Sequence, residues 1–407
     1  MRGEITIQGA KNAVLPILAA AIMGDGGCVI HNCPWLRDVE KTGVVLSQLG
    51  CKCRREGGDI YVDASDMNDC RIDERLMREM RSSIIFLGAI LSVCGKAEVG
   101  LPGGCPIGLR PIDLHIKALR QMGVLVKEEH GYLNCECLRI KGADIHLDFP
   151  SVGATENIML AAVKAEGRTV ITNAAREPEI ADLSNFLNAM GADIRGAGTS
   201  VVTINGTDRL HGAEYTVMAD RIVAQTYLIA AMMTGGEVML RGACPQHMQA
   251  GLSVLTEMGG KIKKSDNGVY IKCDSRPRSV HILRTMPYPG FATDAQSPFV
   301  ALAAIADGTS VFVENIFENR FRYADELARM GADIKVEGRS AVVRGVERLY
   351  GAHTEAYELR GGAALVLAAA AAEGRSEITG VEFIDRGYED IEGNLSRCGI
   401  RINRVRV

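Results

Sequence analysis

A short phrase recurs six times along this chain of 407 residues. In each copy an apolar residue is followed by glycine and then by a β-type segment, as in Met190-Gly191-Ala192-Asp193-Ile194. Successive glycines are 73, 68, 68, 72 and 68 residues apart, and so regular a period marks repeated supersecondary units. Glycine at this place favours the left-handed cap that ends a helix before a strand begins. The six copies begin at Leu49, Met122, Met190, Met258, Met330 and Cys398.

The segments upstream of each phrase follow one order. In the third copy, 154–165 is apolar at helical spacing, 169–172 is β-branched and 180–190 is again helical. One unit is therefore predicted as strand, helix, strand, helix, strand, with a further hairpin strand in most copies, which is an α/β fold. In the fourth and fifth copies the same order predicts helices at 221–233, 248–258, 295–306 and 323–330, and strands at 237–240 and 310–313.

The length indicates two domains, because single cores stop growing at roughly 250 to 300 residues. Three repeats fall in each half. We predict a first domain at 12–219 and a second domain that combines 1–11 with 220–407. Ala-rich segments such as 363–372 lack a polar face, which indicates helices buried inside a bundle with the sheets packed outside.

The charge balance excludes several classes of protein. A formal net charge of -4 without long blocks of like charge argues against binding to nucleic acid or to an anionic membrane surface. The longest apolar run, 363–372, is too short to span a bilayer, and 1–7 does not resemble a signal peptide. The chain is therefore expected to be soluble and cytoplasmic, and an anionic substrate would need a local basic cluster.

Two kinds of motif are missing. The sequence contains no phosphate-binding G-x-x-x-x-G-K-[ST] loop and no G-x-G-x-x-G between a strand and a helix. The 12 cysteines fit a reducing compartment, and their spacing with the scattered histidines completes no zinc site. We therefore predict neither a metal nor another cofactor.

The loop from Leu101 to His115 displays a cysteine. Cys105 lies among glycines and prolines that forbid a continuous helix, and Arg110 follows five residues later. A thiol near a guanidinium is more acidic than a free cysteine and can act as a nucleophile or proton donor. Two interpretations stay open for Cys105, a reactive thiol and a small core residue, and two for His115, a partner of the thiol and a helix-surface histidine.

Charged residues stand at the corners of the repeats. A lysine or arginine at a helix N-terminus reinforces an anion site, and several at matching positions in an acidic protein indicate a small, doubly anionic substrate. Asp294 at such a corner is either a helix cap or a base. Lys11, Arg81 and Arg360 are the basic residues at such corners, and Arg320 and Arg386 lie in connections between a strand and a helix.

Several distinctive segments are spread along nearly the whole chain. They are Gln8-Gly9-Ala10-Lys11-Asn12-Ala13, Pro102-Gly103-Gly104-Cys105, Arg110-Pro111-Ile112-Asp113-Leu114-His115, Ser151-Val152-Gly153-Ala154-Thr155, Asn173-Ala174-Ala175-Arg176-Glu177-Pro178-Glu179, Phe317-Glu318-Asn319-Arg320-Phe321 and Asp385-Arg386-Gly387-Tyr388-Glu389. These segments resemble the motifs of the UDP-N-acetylglucosamine 1-carboxyvinyltransferases, a family of enolpyruvyl transferases. The resemblance implies a two-domain inside-out α/β barrel with three repeats per domain and the active site between the domains.

The resemblance also implies an activity: transfer of the enolpyruvyl group of phosphoenolpyruvate to the 3-hydroxyl of UDP-N-acetylglucosamine, with release of phosphate, as the first committed step of peptidoglycan synthesis. By matching motif, Cys105 would protonate C3 of phosphoenolpyruvate and Asp294 would accept the sugar hydroxyl proton, with Lys11 as a third catalytic residue. The phosphoenolpyruvate contacts would be Lys11, Asn12, Arg110, Arg320, Arg360 and Arg386. The sugar-nucleotide contacts would be Arg81, Arg110, Pro111, Ile112, Asp113, Leu114, Ser151, Val152, Gly153, Asp294 and Ile316.

The partners implied are these two small molecules, without an obligatory protein partner. The chain departs from the family at Pro106, Pro150 and Glu358, the last replacing a usual aspartate, and it begins about a dozen residues late, so a strand of the second half is expected to be missing. Two alternatives stay open. One is a sibling transferase acting on shikimate 3-phosphate; the other is a non-catalytic repeat protein that binds nucleotide sugars or regulates a catalytic paralogue.

Overall fold

The computed structural model describes residues 1–101 and 112–405, without the side chains of Arg81 and Ser82. The described residues fall into two compact units. The N-unit takes its residues from 9–218, and the C-unit from 1–8 and 219–405.

Fourteen α-helices are present among the described residues, and several lie almost wholly in the core. Every residue of α8 is buried, as are nine of the eleven residues of α6. The helices are α1 (Lys11–Ala20), α2 (Arg37–Gln48), α3 (Glu74–Glu79), α4 (Phe86–Cys94), α5 (Asp113–Gln121), α6 (Val152–Ala162), α7 (Pro178–Ala189), α8 (Arg221–Met233), α9 (Gln249–Glu257), α10 (Thr293–Ala303), α11 (Ala324–Arg329), α12 (Leu359–Ala371), α13 (Val381–Ile384) and α14 (Ile391–Arg397).

The strands are short and numerous. Within the described ranges they are β1 (Arg2–Thr6), β2 (Cys28–His31), β3 (Lys52–Glu56), β4 (Asp59–Asp63), β5 (Arg71–Ile72), β6 (Lys96–Gly100), β7 (Leu125–Glu129), β8 (Tyr132–Glu136), β9 (Asp144–His146), β10 (Arg168–Thr172), β11 (Asp193–Arg195), β12 (Val201–Asn205), β13 (Glu214–Thr216), β14 (Glu237–Arg241), β15 (Lys261–Ser265), β16 (Gly268–Lys272), β17 (Ile282–Arg284), β18 (Thr309–Val313), β19 (Asp333–Glu337), β20 (Ser340–Arg344), β21 (His353–Glu355) and β22 (Glu377–Thr379).

Five four-stranded sheets share one mixed arrangement, a parallel pair at one edge followed by an antiparallel hairpin. In the N-unit the sheet orders are β13-β2-β4-β3, β5-β6-β8-β7 and β9-β10-β12-β11. In the C-unit they are β1-β14-β16-β15 and β17-β18-β20-β19, and β21 pairs with β22 alone among the described strands. The register of the third sheet is typical: Ile171 lies opposite Ile145 in the parallel pair and opposite Val202 in the hairpin.

The cores lie around the apolar helices. In the C-unit, α8, α10 and α12 pack on one another, and residues such as Leu228, Phe299 and Leu365 have no exposed surface. The interpretation of 363–372 as a buried segment is confirmed for 363–368 within α12, because these residues are buried. Its final turn is half-buried.

Most predicted elements of the third to fifth copies are present. The helix predicted at 221–233 coincides with α8. The helix predicted at 154–165 instead begins at Val152, because Ser151 accepts a hydrogen bond from the Ala154 N–H and so caps α6 two residues earlier. No helix in the described part of the chain is long and apolar enough to cross a membrane.

Candidate active site

Asp294 lies in the first turn of α10 in the C-unit. The residue at the N-cap position is Ala292, which provides no side-chain cap, so the interpretation of Asp294 as the helix cap is wrong. Its side chain is 28% exposed and points to two arginines instead. The carboxylate is thus placed at the positive end of a buried helix without being used by that helix as a cap.

Arg320 and Arg360 both bind the Asp294 carboxylate. Nη2 of Arg320 donates to Oδ1 at 3.1 Å, while Nε and Nη2 of Arg360 donate to Oδ2 at 3.3 and 3.2 Å. Both arginine side chains are only 2% exposed.

Each guanidinium retains one nitrogen without a partner. Nε of Arg320 and Nη1 of Arg360 are buried and donate no hydrogen bond to any described residue. A buried donor left unsatisfied is costly, and a binding site is one reason for which proteins keep such groups. These two nitrogens are therefore candidate donors for an anionic ligand beside Asp294.

Electrostatics keep both arginines charged despite their burial. Burial alone would lower the pKa of the Arg360 guanidinium, but Tyr388 and Asp294 outweigh it and raise the pKa above the ordinary value. The same holds for Arg320, whose pKa is raised against burial by Glu358, Asp294 and Glu314. The site thus combines two charged guanidiniums with one partly exposed carboxylate, that of Asp294.

Glu358 holds the start of α12. Its carboxylate is the N-cap and accepts hydrogen bonds from the Arg360 N–H at 2.8 Å and from the Gly361 N–H. A glutamate can therefore fill the position that an aspartate usually occupies in the family, because both side chains provide an acceptor for the free N–H groups of the first turn.

In the N-unit, Lys11 begins α1 as predicted. Its Nζ forms an ion pair with Oδ2 of Asp38 at 2.7 Å, and both side chains are largely buried, at 11% and 2% exposure. Asp38 belongs to the first turn of α2. The sequence analysis did not identify Asp38, because an acidic residue in a first helical turn is common and carries no distinct signal.

The N-terminus of α6 carries the predicted Ser151, Val152 and Gly153, which are half-buried. His115 lies beneath them: a Cβ added at Gly153 would come within 3.3 Å of its Cε1. Burial lowers the pKa of His115 to about 4. The expectation of a helix-surface histidine is therefore wrong, since this imidazole is 6% exposed and neutral at physiological pH.

Asn157 holds His115 in place. Its Nδ2 donates to Nδ1 of His115 at 2.9 Å and to the Ile84 carbonyl at 2.8 Å, while its Oδ1 accepts from the Gly88 N–H at 2.6 Å. One buried amide thereby joins α4, α5 and α6. The sequence analysis missed it, because asparagine inside an apolar helix has no spacing that marks a network.

Several predicted residues lie elsewhere or outside the description. Cys105, Arg110 and Pro111 lie outside the described residues, so the pairing of Cys105 with His115 stays untested. Arg81 lies in a 3₁₀ turn, Arg81–Ile85, and its side chain is not described. Asp113 begins α5. Among the remaining predicted contacts, Asn12 and Asp113 are exposed and Ile112, Leu114, Ile316 and Arg386 are half-buried.

Within the described ranges, no group of three or more histidine, cysteine, aspartate or glutamate side chains is arranged to hold a metal ion.

Comparison with known proteins identifies relatives over nearly the full length. The family description of EPSP synthase (3-phosphoshikimate 1-carboxyvinyltransferase) matches residues 1–395. The chain is 53% identical over 403 residues to UDP-N-acetylglucosamine 1-carboxyvinyltransferase 2 of Caldanaerobacter subterraneus subsp. tengcongensis, covering 99% of this chain and 97% of that protein. It is 48% identical over 404 residues to UDP-N-acetylglucosamine 1-carboxyvinyltransferase of Nitratidesulfovibrio vulgaris, covering 99% of this chain and 97% of that protein.

Solved structures share the fold at low sequence identity. The enolpyruvyl transferase NikO from Streptomyces tendae superposes with a TM-score of 0.88 at 23% identity, covering 98% of this chain and 95% of that chain. EPSP synthase from Acinetobacter baumannii gives a TM-score of 0.74 at 19% identity, covering 98% and 96%.

Proposed function

The chain belongs to the UDP-N-acetylglucosamine 1-carboxyvinyltransferases, an enolpyruvyl transferase family, and on this premise we propose that it transfers the enolpyruvyl group of phosphoenolpyruvate to the 3-hydroxyl of UDP-N-acetylglucosamine. Phosphate is released, and the product is the first committed precursor of peptidoglycan. The reaction takes place in the cytoplasm on two small molecules. We also propose an inside-out α/β barrel of two three-repeat halves, predicted as 12–219 and as 1–11 with 220–407, whereas the compact units divide at 9–218 and at 1–8 with 219–405.

One observation carries the proposal: Asp294 binds two buried guanidiniums, each of which has one nitrogen without a partner among the described residues. Phosphoenolpyruvate brings a carboxylate and a phosphate, and both accept hydrogen bonds from such forks. In this assignment Arg320 and Arg360 contact phosphoenolpyruvate together with Lys11, Asn12, Arg110 and Arg386.

The chemistry divides between a proton donor and a proton acceptor. Cys105 gives its proton to C3 of phosphoenolpyruvate, which leaves C2 as an oxocarbenium-like centre. The 3-hydroxyl oxygen attacks C2 and its proton passes to Asp294. Phosphate then leaves C2 with the electrons of the C–O bond, and loss of a proton from C3 restores the double bond. Fixed positive charge stabilises the departing phosphate.

The sugar nucleotide is held mainly by the N-unit. The N-terminus of α6 at Ser151, Val152 and Gly153 favours an anionic group, since its N–H groups and helix dipole both attract negative charge. Arg81 and the segment from Arg110 to Leu114 complete the uridine and diphosphate contacts, with Asp113 near the base. On the C-unit, Ile316 and Asp294 contact the sugar.

The decisive experiment measures phosphate release from the purified protein with phosphoenolpyruvate and UDP-N-acetylglucosamine. We expect release that requires both substrates and that falls strongly in Cys105→Ala. Shikimate 3-phosphate replaces the sugar nucleotide in a parallel reaction, and we expect no release there. Turnover with shikimate 3-phosphate alone would assign the chain to the sibling reaction, and no turnover with either acceptor would refute a catalytic role.

A further inference from the structure

Glu314 is a completely buried carboxylate that accepts four hydrogen bonds. Its Oε1 accepts from the Thr285 hydroxyl at 2.9 Å, the Ile316 N–H at 2.8 Å and the Phe317 N–H at 3.1 Å. Its Oε2 accepts from the Thr293 hydroxyl at 3.0 Å. Burying a carboxylate is costly, and four donors are a strong compensation.

The four donors come from three separate segments of the C-unit. Thr285 directly follows β17, and Thr293 is the first residue of α10 and the neighbour of Asp294. Ile316 and Phe317 lie in the loop after β18. Asn315 strengthens the junction, because its N–H donates to the Thr285 hydroxyl at 2.9 Å. Glu314 thereby fixes the helix turn of Asp294 to the loop of Ile316.

The chemistry of the side chain explains why glutamate suits this place. An ionised carboxylate accepts on both oxygens, whereas a glutamine side chain has one acceptor oxygen and a donor nitrogen. The negative charge also contributes to the raised pKa of Arg320, alongside Glu358 and Asp294. The Glu314 carboxylate therefore both binds the backbone N–H groups of Ile316 and Phe317 and contributes to the charge around Arg320.

We propose that Glu314 is a positioning residue that holds the Asp294 carboxylate and the sugar-nucleotide contact at Ile316 as one rigid piece. The proposal rests on the proposed function, because it assigns Asp294 the sugar hydroxyl proton and Ile316 the sugar nucleotide. Small displacements of reacting groups lower the rate of catalysis strongly. A loosened junction should therefore lower kcat and raise the KM for UDP-N-acetylglucosamine together.

Thr293→Val tests the junction with little change in volume. We expect kcat to fall about tenfold or more and the KM for UDP-N-acetylglucosamine to rise. Thr293→Ser keeps the hydroxyl and should restore kcat to within about threefold of the wild type. Thr234→Val is the matched control, because Thr234 is also half-buried and donates its hydroxyl hydrogen bond to the Ala230 carbonyl at 2.8 Å. Kinetics of Thr293→Val that match this control would overturn the proposal.

Deuterium exchange provides a readout that does not depend on turnover. The amides of Ile316 and Phe317 should exchange faster in Glu314→Ala than in the wild type, because their acceptor is removed. A wild-type protein that releases no phosphate refutes the proposed function. In that case faster exchange at 316 and 317 still supports the anchoring by Glu314, and unchanged exchange overturns it. If Glu314→Ala does not fold, the same two amides are followed in Thr293→Val.

Discussion

The two units each hold a buried polar cluster, but the two clusters are built differently. In the N-unit, Asn157 uses both amide hydrogens and its oxygen on neutral partners, including His115. In the C-unit, Asp294 binds Arg320 and Arg360, and each guanidinium has one buried nitrogen without a partner in the described part of the chain. A neutral and complete cluster serves packing, whereas a charged and incomplete one is suited to a ligand.

Among the substitutions that test this contrast, Asp294→Asn should have the largest effect. We expect turnover to fall at least about 100-fold, because the sugar hydroxyl loses its proton acceptor. We also expect a loss of about 3 kcal/mol of unfolding free energy, since two buried guanidiniums lose their common carboxylate. Phosphate release and urea denaturation measure the two effects.

The matched control is Asp182→Asn in the N-unit. Asp182 is also a buried carboxyl, and burial raises its pKa to about 6 although the Tyr215 hydroxyl donates to it at 2.7 Å. Turnover should stay near the wild-type value in this variant. An equal loss of turnover in both variants would show that the loss is not specific to the carboxylate that binds Arg320 and Arg360.

Asn157→Ala should be the largest purely structural change. It leaves the Gly88 N–H, the Ile84 carbonyl and His115 Nδ1 without their common partner, at a cost of about 3 to 4 kcal/mol of unfolding free energy. Turnover of the folded fraction at saturating substrate should remain. A stable variant would show that the N-unit cluster does not hold its helices together.

His115 gives the N-unit cluster a pH dependence of known sign. Its pKa is about 4 in the folded chain, because the imidazole is buried, and about 6.5 in the unfolded chain. Between pH 4 and pH 6.5, His115 is protonated in the unfolded chain but stays neutral in the folded chain. The free energy of unfolding therefore keeps its full value above pH 6.5 and falls, by up to about 3 kcal/mol, as the pH is lowered toward 4.

The measurement compares the unfolding free energy of the wild type and His115→Gln across pH 4 to 7. The wild type should lose more stability toward low pH than the variant. Equal slopes for the two proteins would mean that His115 titrates normally in the folded chain.

Glu358→Asp should have the smallest effect. Aspartate is also a good N-cap, so the first turn of α12 keeps an acceptor and we expect a change below about 1 kcal/mol. Turnover should stay within a few-fold of the wild type. Glu358→Ala removes the cap and the charge beside Arg320, and equal behaviour of both variants would contradict the capping role.

Periodic elements were predictable from the sequence, and buried polar partners were not. The helix predicted at 221–233 and the strand predicted at 310–313 have ends within one residue of α8 and β18, because apolar spacing and β-branching act locally. Of the candidate site, Asp294, Arg320 and Arg360 were singled out from the sequence as charged residues, and the structure brings these three together.

The remaining errors concern contacts between distant segments. The interpretation of His115 as a helix-surface residue is wrong, because its imidazole is buried and Asn157, 42 positions away, donates a hydrogen bond to it. Glu314 follows a strand, as many surface acids do. Two of its four donors are local N–H groups, and only the return of the chain at Thr285 and Thr293 supplies the other two. Asp38 pairs with Lys11 across 27 positions of sequence. Such partners depend on tertiary packing, which no local pattern encodes.

The pairing of β1 with β14 has a consequence for how the protein is made. Arg2 lies opposite Glu237, so the first strand meets its partner only after about 235 further residues have been translated. At roughly 5–20 residues per second this takes on the order of ten seconds or more. The N-unit, drawn from 9–218, can condense on the ribosome during that interval. During that interval β1 is unpaired, and the charged side chains of Arg2 and Glu4 disfavour its pairing with other strands.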